Sequence, residues 1–280
     1  MRRKINQTAG MRRDTICIVV STAGRSWLTP MIKDCSRRAR LGFLLLSLLS
    51  IAAPFPTLAS DLDRRQVIGQ IAAAMPGQAP DLSRRDLAGL DLSGIDFKGA
   101  DLFASNLSGA KLSRANLTHA NLTRAVMTDA DLSGADLRDA DMFAVIMTNA
   151  NLTGADLSRA RIIGELKDAR LDGAKLIGAD LGFDPRNTNM APPKVDLSGA
   201  VLDGADLTDA NLRNALMEYA KLRGARLVRT RLIWAKLAGA DLSGADVSGA
   251  DLSNADLTNA ALSEIKGADS ASGLELDTAR

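Results

Sequence analysis

Beyond residue 60 the chain has no cysteine and a single histidine, and across all 280 residues aromatics make up only 3%. Both cysteines, Cys17 and Cys35, fall before that point, so the body has neither a disulfide framework nor a Cys-ligated metal site. With His119 as the one imidazole, there is no histidine cluster for a metal and no nucleophile–base–orienter set of the usual hydrolytic kind. A scarcity of rings excludes a rounded core filled by aromatics, and the apolar share comes mostly from Ala and Leu. Net basicity is lacking too, although the formal charge is +2. Ten of the 35 Lys and Arg lie in residues 1–60 against two of the 33 Asp and Glu, which leaves the rest with 25 basic and 31 acidic groups. A body near −6 argues against direct binding to nucleic acid or to an anionic membrane.

The basic excess sits in a leader. Ser36-Arg37-Arg38-Ala39-Arg40-Leu41 precedes an apolar run from Gly42 to Ala53, Pro54 and Pro56 break that run, and Thr57-Leu58-Ala59 supplies small residues. This order is that of a secretory signal peptide with cleavage near Ala59. The run is short of the roughly 20 apolar residues of a spanning helix, so an uncleaved anchor or a buried helix is the lesser reading. Ser36-Arg37-Arg38 also resembles a twin-arginine export signal, with Arg40 standing where that motif has an apolar residue. Met31 is a candidate true start. Export would put the body in a periplasm or outside the cell, with no stable membrane span after cleavage.

The remainder is filled by a beat of five. Asp131 to Ala135 reads D-L-S-G-A, and the pattern A-(D/N)-L-x-x recurs from Asp81 to Leu262. Of 35 units, 28 have Leu at the centre and 26 have Ala two residues earlier; the other centres are Phe97, Met127, Met142, Met147, Ile162, Met217 and Val247. Every centre is therefore apolar. A period of five matches neither the 3.6 of a helix nor the 2 of a strand. It demands a chain that turns every few residues, with the centre and the residue two before it facing inward. Four such sides close a square coil of about 20 residues, and coils joined by backbone hydrogen bonds stack about 4.8 Å apart. Gly at the second residue after the centre, as in Gly94 and Gly134, suits such turns.

Ala150-Asn151-Leu152-Thr153-Gly154 and Ala240-Asp241-Leu242-Ser243-Gly244 resemble the pentapeptide-repeat family almost letter for letter, and the resemblance covers about two thirds of the chain. It implies an all-β solenoid, a right-handed quadrilateral β-helix. At the observed number of units that means nearly nine coils and a rod of roughly 40 Å. Domain boundaries follow: residues 1–60 leader; 61–80 a short capping helix and linker; 81–263 the β-helix; 264–280 a flexible tail. Asp61 to Met75 carries Val67, Ile68, Ile71 and Met75 at helical spacing before Pro76-Gly77, as expected of a helix covering the first coil. The tail lacks the apolar spacing of the dimerisation helix some family members use, and the oligomeric state stays open.

Specificity is expected where the beat fails. Between centres Leu181 and Leu197 one unit is greatly lengthened, giving a Pro-rich insertion at 182–195 that includes Phe183 and Arg186. It reads either as a tolerated surface insertion or as a recognition loop. Family members acting on DNA gyrase can carry functional loops, but this one matches none of them residue by residue. Lys221, Arg226, Arg231 and Lys236 form a basic ring, with Asp241, Asp246, Asp251 and Asp256 one coil later. The ring reads as a register device of exposed ion pairs, or else as a site for an acidic partner. Outward apolar residues form two further candidates: Phe103, Phe143 and Ile163 in one column with Val126 and Ile146 in the next, and Leu216, Tyr219 and Trp234.

An enzyme is not expected, since a filled interior leaves no catalytic cleft and the aspartates spread over four sides. No cofactor is implied, and outward carboxylates on a rigid wall enclose a hard cation poorly. Two classes remain: an exported structural or protein-interaction rod with a partner still to be identified, and, in a cytoplasmic chain, a DNA mimic of the kind that resembles gyrase inhibitors and protectors. Mimicry needs a long acidic face, which the basic ring interrupts.

Overall fold

The structure, a computed structural model, describes residues 61–97, 99–182 and 194–274; the leader, Phe183, Arg186 and residues 275–280 lie outside them. The chain divides into two units, Met1–Ala53 and Pro54–Arg280, and the described residues all belong to the second.

Residues Asp131 to Ala135 show how a unit is made. The Ala135 N–H donates to the Leu132 carbonyl at 3.0 Å, closing a β-turn whose third residue, Gly134, has φ +63°. A type II turn asks for a positive φ at that place. Asp131 Oδ1 accepts the Ser133 N–H at 3.1 Å, an Asx turn that starts the corner and explains why Asp or Asn precedes the central Leu. The straight part bonds to both neighbouring coils: the Asp131 N–H donates to the Ala110 carbonyl (2.9 Å) and the Leu132 N–H to that of Asn151 (2.7 Å). Parallel bridges accordingly join equivalent positions of successive coils, from Asp81–Asp101 onward to Asp136–Asp156.

Four walls result, each a ladder of such bridges around a column of buried Leu, Met, Phe, Ile and Val, with buried Ala between columns. Leu82, Leu102 and Leu122 run up the first wall, and Leu87, Leu107 and Met127 up the second. Two polar residues replace Ala inside. The Ser105 hydroxyl donates to the Leu102 carbonyl and that of Thr230 to the Leu207 carbonyl, both at 2.8 Å, so neither is left unpaired.

The shortened step before Leu166 becomes a bulge. Strands β1 (Asp141–Ile146) and β2 (Arg161–Glu165) pair in parallel, and the register slips between Phe143 and Val145. Gly164 lies opposite Val145 so closely that any Cβ there would overlap the Val145 backbone. Bridges over this stretch are one position shorter than the rest, as in Ile146–Glu165 and Asn151–Arg170. The insertion is absorbed as cleanly. Glu165–Asp196, Arg170–Val201, Lys175–Asp206 and Asp180–Asn211 all pass over it in register, and the ordinary spacing returns with Asp196–Leu216.

Both ends differ in detail from the expectation. Helix α1 covers Arg64–Ala73, with Asp63 and Gln66 forming a capping box. Val67 and Ile71 join the same core cluster as Leu82, whereas Ile68 and Met75 are exposed. The helix is tied to the first coil by the Asp61 N–H on the Asp86 carbonyl (2.9 Å) and by the Arg64 guanidinium on the Asp91 and Ser93 carbonyls. At the other end, Asp246 bridges Lys266 and Asp251 bridges Ser272, across the short 3-10 helix Ala268–Ser270. Residues 264–272, placed in the tail by the repeat pattern, therefore belong to the last coil. No helix among the described residues is long and apolar enough to cross a membrane.

Candidate interaction surfaces

The first apolar candidate is more closed than its sequence implies. Phe103 and Phe143 are half-buried, and each ring lies under a guanidinium: Arg84 over Phe103 at 5.5 Å and Arg161 over Phe143 at 4.8 Å. Val126 and Ile146 are half-buried in the adjacent column. Ile163 is not an outward residue at all, being only 4% exposed. It pairs with Phe143 inside the β1–β2 bulge, where the slip removes the corner that would have carried its side chain into solvent.

The basic ring stands on the backbone ladder as expected, since Lys221–Asp241, Arg226–Asp246, Arg231–Asp251 and Lys236–Asp256 are bridges. The side chains pair otherwise. Lys236 reaches Asp256 at 3.5 Å, but Arg226 turns back one coil to Asp206 at 3.8 Å. Asp246 is engaged in its own corner, accepting from the Ser248 N–H (3.1 Å) and hydroxyl (2.6 Å), bonds that hold its pKa below the usual carboxylate range. Asp206 and Asp256 make the same corner bonds, so these bonds do not select the cation's partner. The expectation of four forward pairs is thus corrected to one.

Of the second apolar candidate, Tyr219 is 73% exposed, Trp234 54% and Leu216 half-buried. Both aromatics occupy corners with left-handed backbone, φ +59° and +62°, where Gly, Asn and Asp predominate. Leu216 and Tyr219 share one cleft on the second wall with Lys167, Asp168, Asp196, Ser198, Gly199 and Glu218. Trp234 stands at the opposite edge of that wall and is not among the lining residues.

The cleft was hidden in the sequence by the two frame changes. The ladder stacks Lys167 beneath Ser198 and Asp168 beneath Gly199, across the insertion, with Glu218 and Tyr219 one coil above. Aligning columns through both breaks is the signal that would have found it. Lys167 Nζ lies 3.2 Å from Asp196 Oδ2 and its pKa is raised, chiefly by that pairing and further by Glu165 and Asp168. Burial pushes the Asp196 carboxyl up, but hydrogen bonds from Ser198 and the Lys167 charge outweigh it, and the net shift is downward. The Ser198 hydroxyl donates to Glu218 Oε2 at 3.1 Å. The Tyr219 ring lies against Gly239, whose Cβ, if present, would come within 2.7 Å of it. A further cleft lies between residues 74–79 and the corner of Gly99 and His119; among the described residues His119 is the only titratable side chain lining it.

Among the described residues no group of His, Cys, Asp or Glu converges as metal ligands. The geometry offers rigid wall: flat ladders, paired surface charges, a polar cleft and two displayed rings.

The architecture and the repeat coincide with a known class. The family model for pentapeptide repeats matches in eight copies, over 81–118, 105–142, 138–164, 196–232 and 230–266, and the interval left between them holds the insertion. The chain belongs to the pentapeptide-repeat family, whose fold is the right-handed β-helix. It is similar to HetL, a pentapeptide repeat protein involved in heterocyst differentiation regulation from the cyanobacterium Nostoc sp. strain PCC 7120, at 31% identity over 73% of this chain and 94% of that one, with a TM-score of 0.33. It is similar also to QnrB1, a plasmid-mediated fluoroquinolone resistance protein, at 18% identity over 66% of this chain and 87% of that one, TM-score 0.36. A third relative, Rfr23 from the cyanobacterium Cyanothece 51142, is 29% identical over 39% of this chain and 63% of its own, TM-score 0.20. No curated protein matches.

Proposed function

We propose that this pentapeptide-repeat protein is an exported, non-enzymatic scaffold that docks a protein partner on its walls, with α1 closing the N-terminal end of the rod. The observation carrying this reading is the filled interior: inward positions along the walls are occupied by apolar side chains or by internally bonded hydroxyls, so chemistry of recognition is left to the outside. A rigid wall loses little entropy on docking, which suits a surface that works by shape and charge. Export rests on the leader, with its basic block, apolar run and small residues ending at Ala59.

Nucleic-acid mimicry in the cytoplasm is the other reading. Against it stand the cations in every outward column next to the centres, among them Arg161 and Arg231, Lys236, Lys111 and Lys221, and Lys175 and Arg226, which leave no unbroken acidic stripe. Cell fractionation with N-terminal sequencing of the native protein separates the two. The expected product is a periplasmic or secreted chain beginning near Ser60. An unprocessed cytosolic chain that inhibits or protects DNA supercoiling would replace this reading by the other. Photo-crosslinkers placed at Tyr219, Trp234 and Phe103 should capture a discrete protein species, and an absence of any crosslink at all three would remove the docking role.

A further inference from the structure

We infer that the cleft on the second wall is a docking point for an arginine side chain of a basic partner segment, seated on the Tyr219 ring between the carboxylates of Asp168 and Glu218. The inference rests on the protein-docking role proposed above and names the chemistry of the partner.

Two independent features meet there. The first is a displayed ring. Tyr219 sits at a left-handed corner with glycine one coil below (Gly199) and one coil above (Gly239), and it rests on Gly239 with most of its surface in solvent. The ring takes the space a side chain at Gly239 would need, and the Asp168 carboxylate takes that of a side chain at Gly199. A bulky residue at such a φ is uncommon, and most of this one's surface stays in solvent.

The second is uncompensated charge. Three carboxylates line the cleft, Asp168, Asp196 and Glu218, and one cation, Lys167, which is committed to Asp196. Among the described residues no cation pairs with Asp168 or Glu218. Elsewhere on the surface carboxylates take a guanidinium partner: Asp139 is held by Arg159, Asp203 by Arg223 and Asp209 by Arg229. The upward shift of Lys167 comes chiefly from its bond to Asp196, with Glu165 and Asp168 adding to it.

An aromatic face beside two carboxylates without a cation partner is complementary to a guanidinium, which stacks on the ring and presents a planar fork of donors to the acids. The aliphatic stem would lie along half-buried Leu216. An ammonium fits less well, because it has no plane to stack and no fork.

Tyr219 is the only tyrosine in the chain, so 3-fluorotyrosine labelling gives a single reporter at the site. The full-length labelled protein is titrated with the peptide acetyl-Gly-Arg-Gly-Arg-Gly-amide and followed by fluorine NMR. A saturable shift is expected, abolished when citrulline replaces arginine and weakened about tenfold by Asp168→Asn combined with Glu218→Gln, in keeping with loss of charge-assisted bonds. Tyr219→Asn, a residue the corners tolerate at Asn214 and Asn254, should abolish binding followed by amide shifts of the second wall. Equal response to the citrulline peptide, or an unchanged affinity in the double variant, overturns the inference. Spermidine binding as tightly as the arginine peptide overturns it too, in favour of a polyamine site. Failure here with crosslinks still forming at Trp234 or Phe103 sinks the cleft alone, whereas loss of all crosslinks sinks the docking role beneath it.

Discussion

Asn151 donates its Nδ2 hydrogen to Asp131 Oδ1 at 3.0 Å across one coil spacing, and the same oxygen accepts the Ser133 N–H of its own corner. The arrangement recurs at Asn106–Asp86, Asn116–Asp96 and Asn121–Asp101, always with Asn on the later coil. Stacked aspartates would repel, and the neutral amide converts that clash into a bond. Asn151→Asp should lower stability by about 1–2 kcal/mol, through one lost hydrogen bond and one new like-charge contact. Chemical denaturation at low and high salt checks it: the deficit should shrink in high salt, and an equal deficit in both would mean repulsion contributes nothing.

Leu132→Ala removes a fully buried side chain from the middle of a column bounded by rigid backbone. Walls fixed by ladder bonds cannot collapse inward, so a loss of about 2–5 kcal/mol is expected in urea or guanidinium unfolding. Wild-type stability would contradict the inward placement of the central residue.

Two glycines should differ sharply. Gly134→Ala introduces strain at φ +63° but meets only the Arg114 side chain, at 3.8 Å, and should cost about 1–2 kcal/mol. Gly164→Ala drives a methyl into the Val145 backbone at the bulge and should cost more than Gly134→Ala, with broadened amide signals in β1 and β2. Paired thermal melts settle the order.

Arg138 grips Asp136 with Nε to Oδ1 at 2.8 Å and Nη2 to Oδ2 at 2.6 Å. That bond, against an opposing push from burial, depresses the Asp136 pKa, and corner hydrogen bonds do the same for Asp81, Asp246 and Asp256. Each folded-state value lies below its unfolded one. The resulting stability is present above the unfolded carboxylate pKa of about 4 and is lost as pH falls through the folded value. Denaturant midpoints should stay level between about pH 7 and 5 and drop below about pH 4. Arg138→Gln should make that drop shallower; a steeper one would refute the pairing.

Deleting residues 183–193 restores a single repeat step from Leu181 to Leu197. Since Asp180–Asn211 and Glu165–Asp196 already hold the coils in register, the shortened chain should fold with an unchanged circular dichroism spectrum and a melting temperature near that of the parent. A large fall would assign the insertion a structural role.

The repeat made the walls legible because burial follows position within the unit: Leu132 and Ala135 are inside, and Asp131 supplies the corner bond, as the period required. Position alone could not reveal which neighbour a long side chain chooses. Arg226 has Asp206 below and Asp246 above, both bonded to their own corners through Thr208 and Ser248, and its guanidinium lies with the lower one. Nor could a fixed frame describe the places where it slips. Counting from Ile162 points Ile163 outward, but the bulge encloses it. The cleft gathers residues on either side of the insertion, so its members look unrelated until the shortened and lengthened coils are threaded through the ladder.

The ladder also sets a rule for how such a chain can be lengthened. Adding a whole coil inserts one storey and leaves each downstream side chain on its own wall. Adding a single repeat unit instead rotates everything beyond it by a quarter turn. Placed between Gly173 and Asp196, that small duplication would keep the core sealed and the backbone bonded, yet carry Tyr219 and Glu218 round the corner from Lys167 and Asp168. The surface of this molecule is thus addressed by arithmetic, and a change that is silent for folding can erase a binding face.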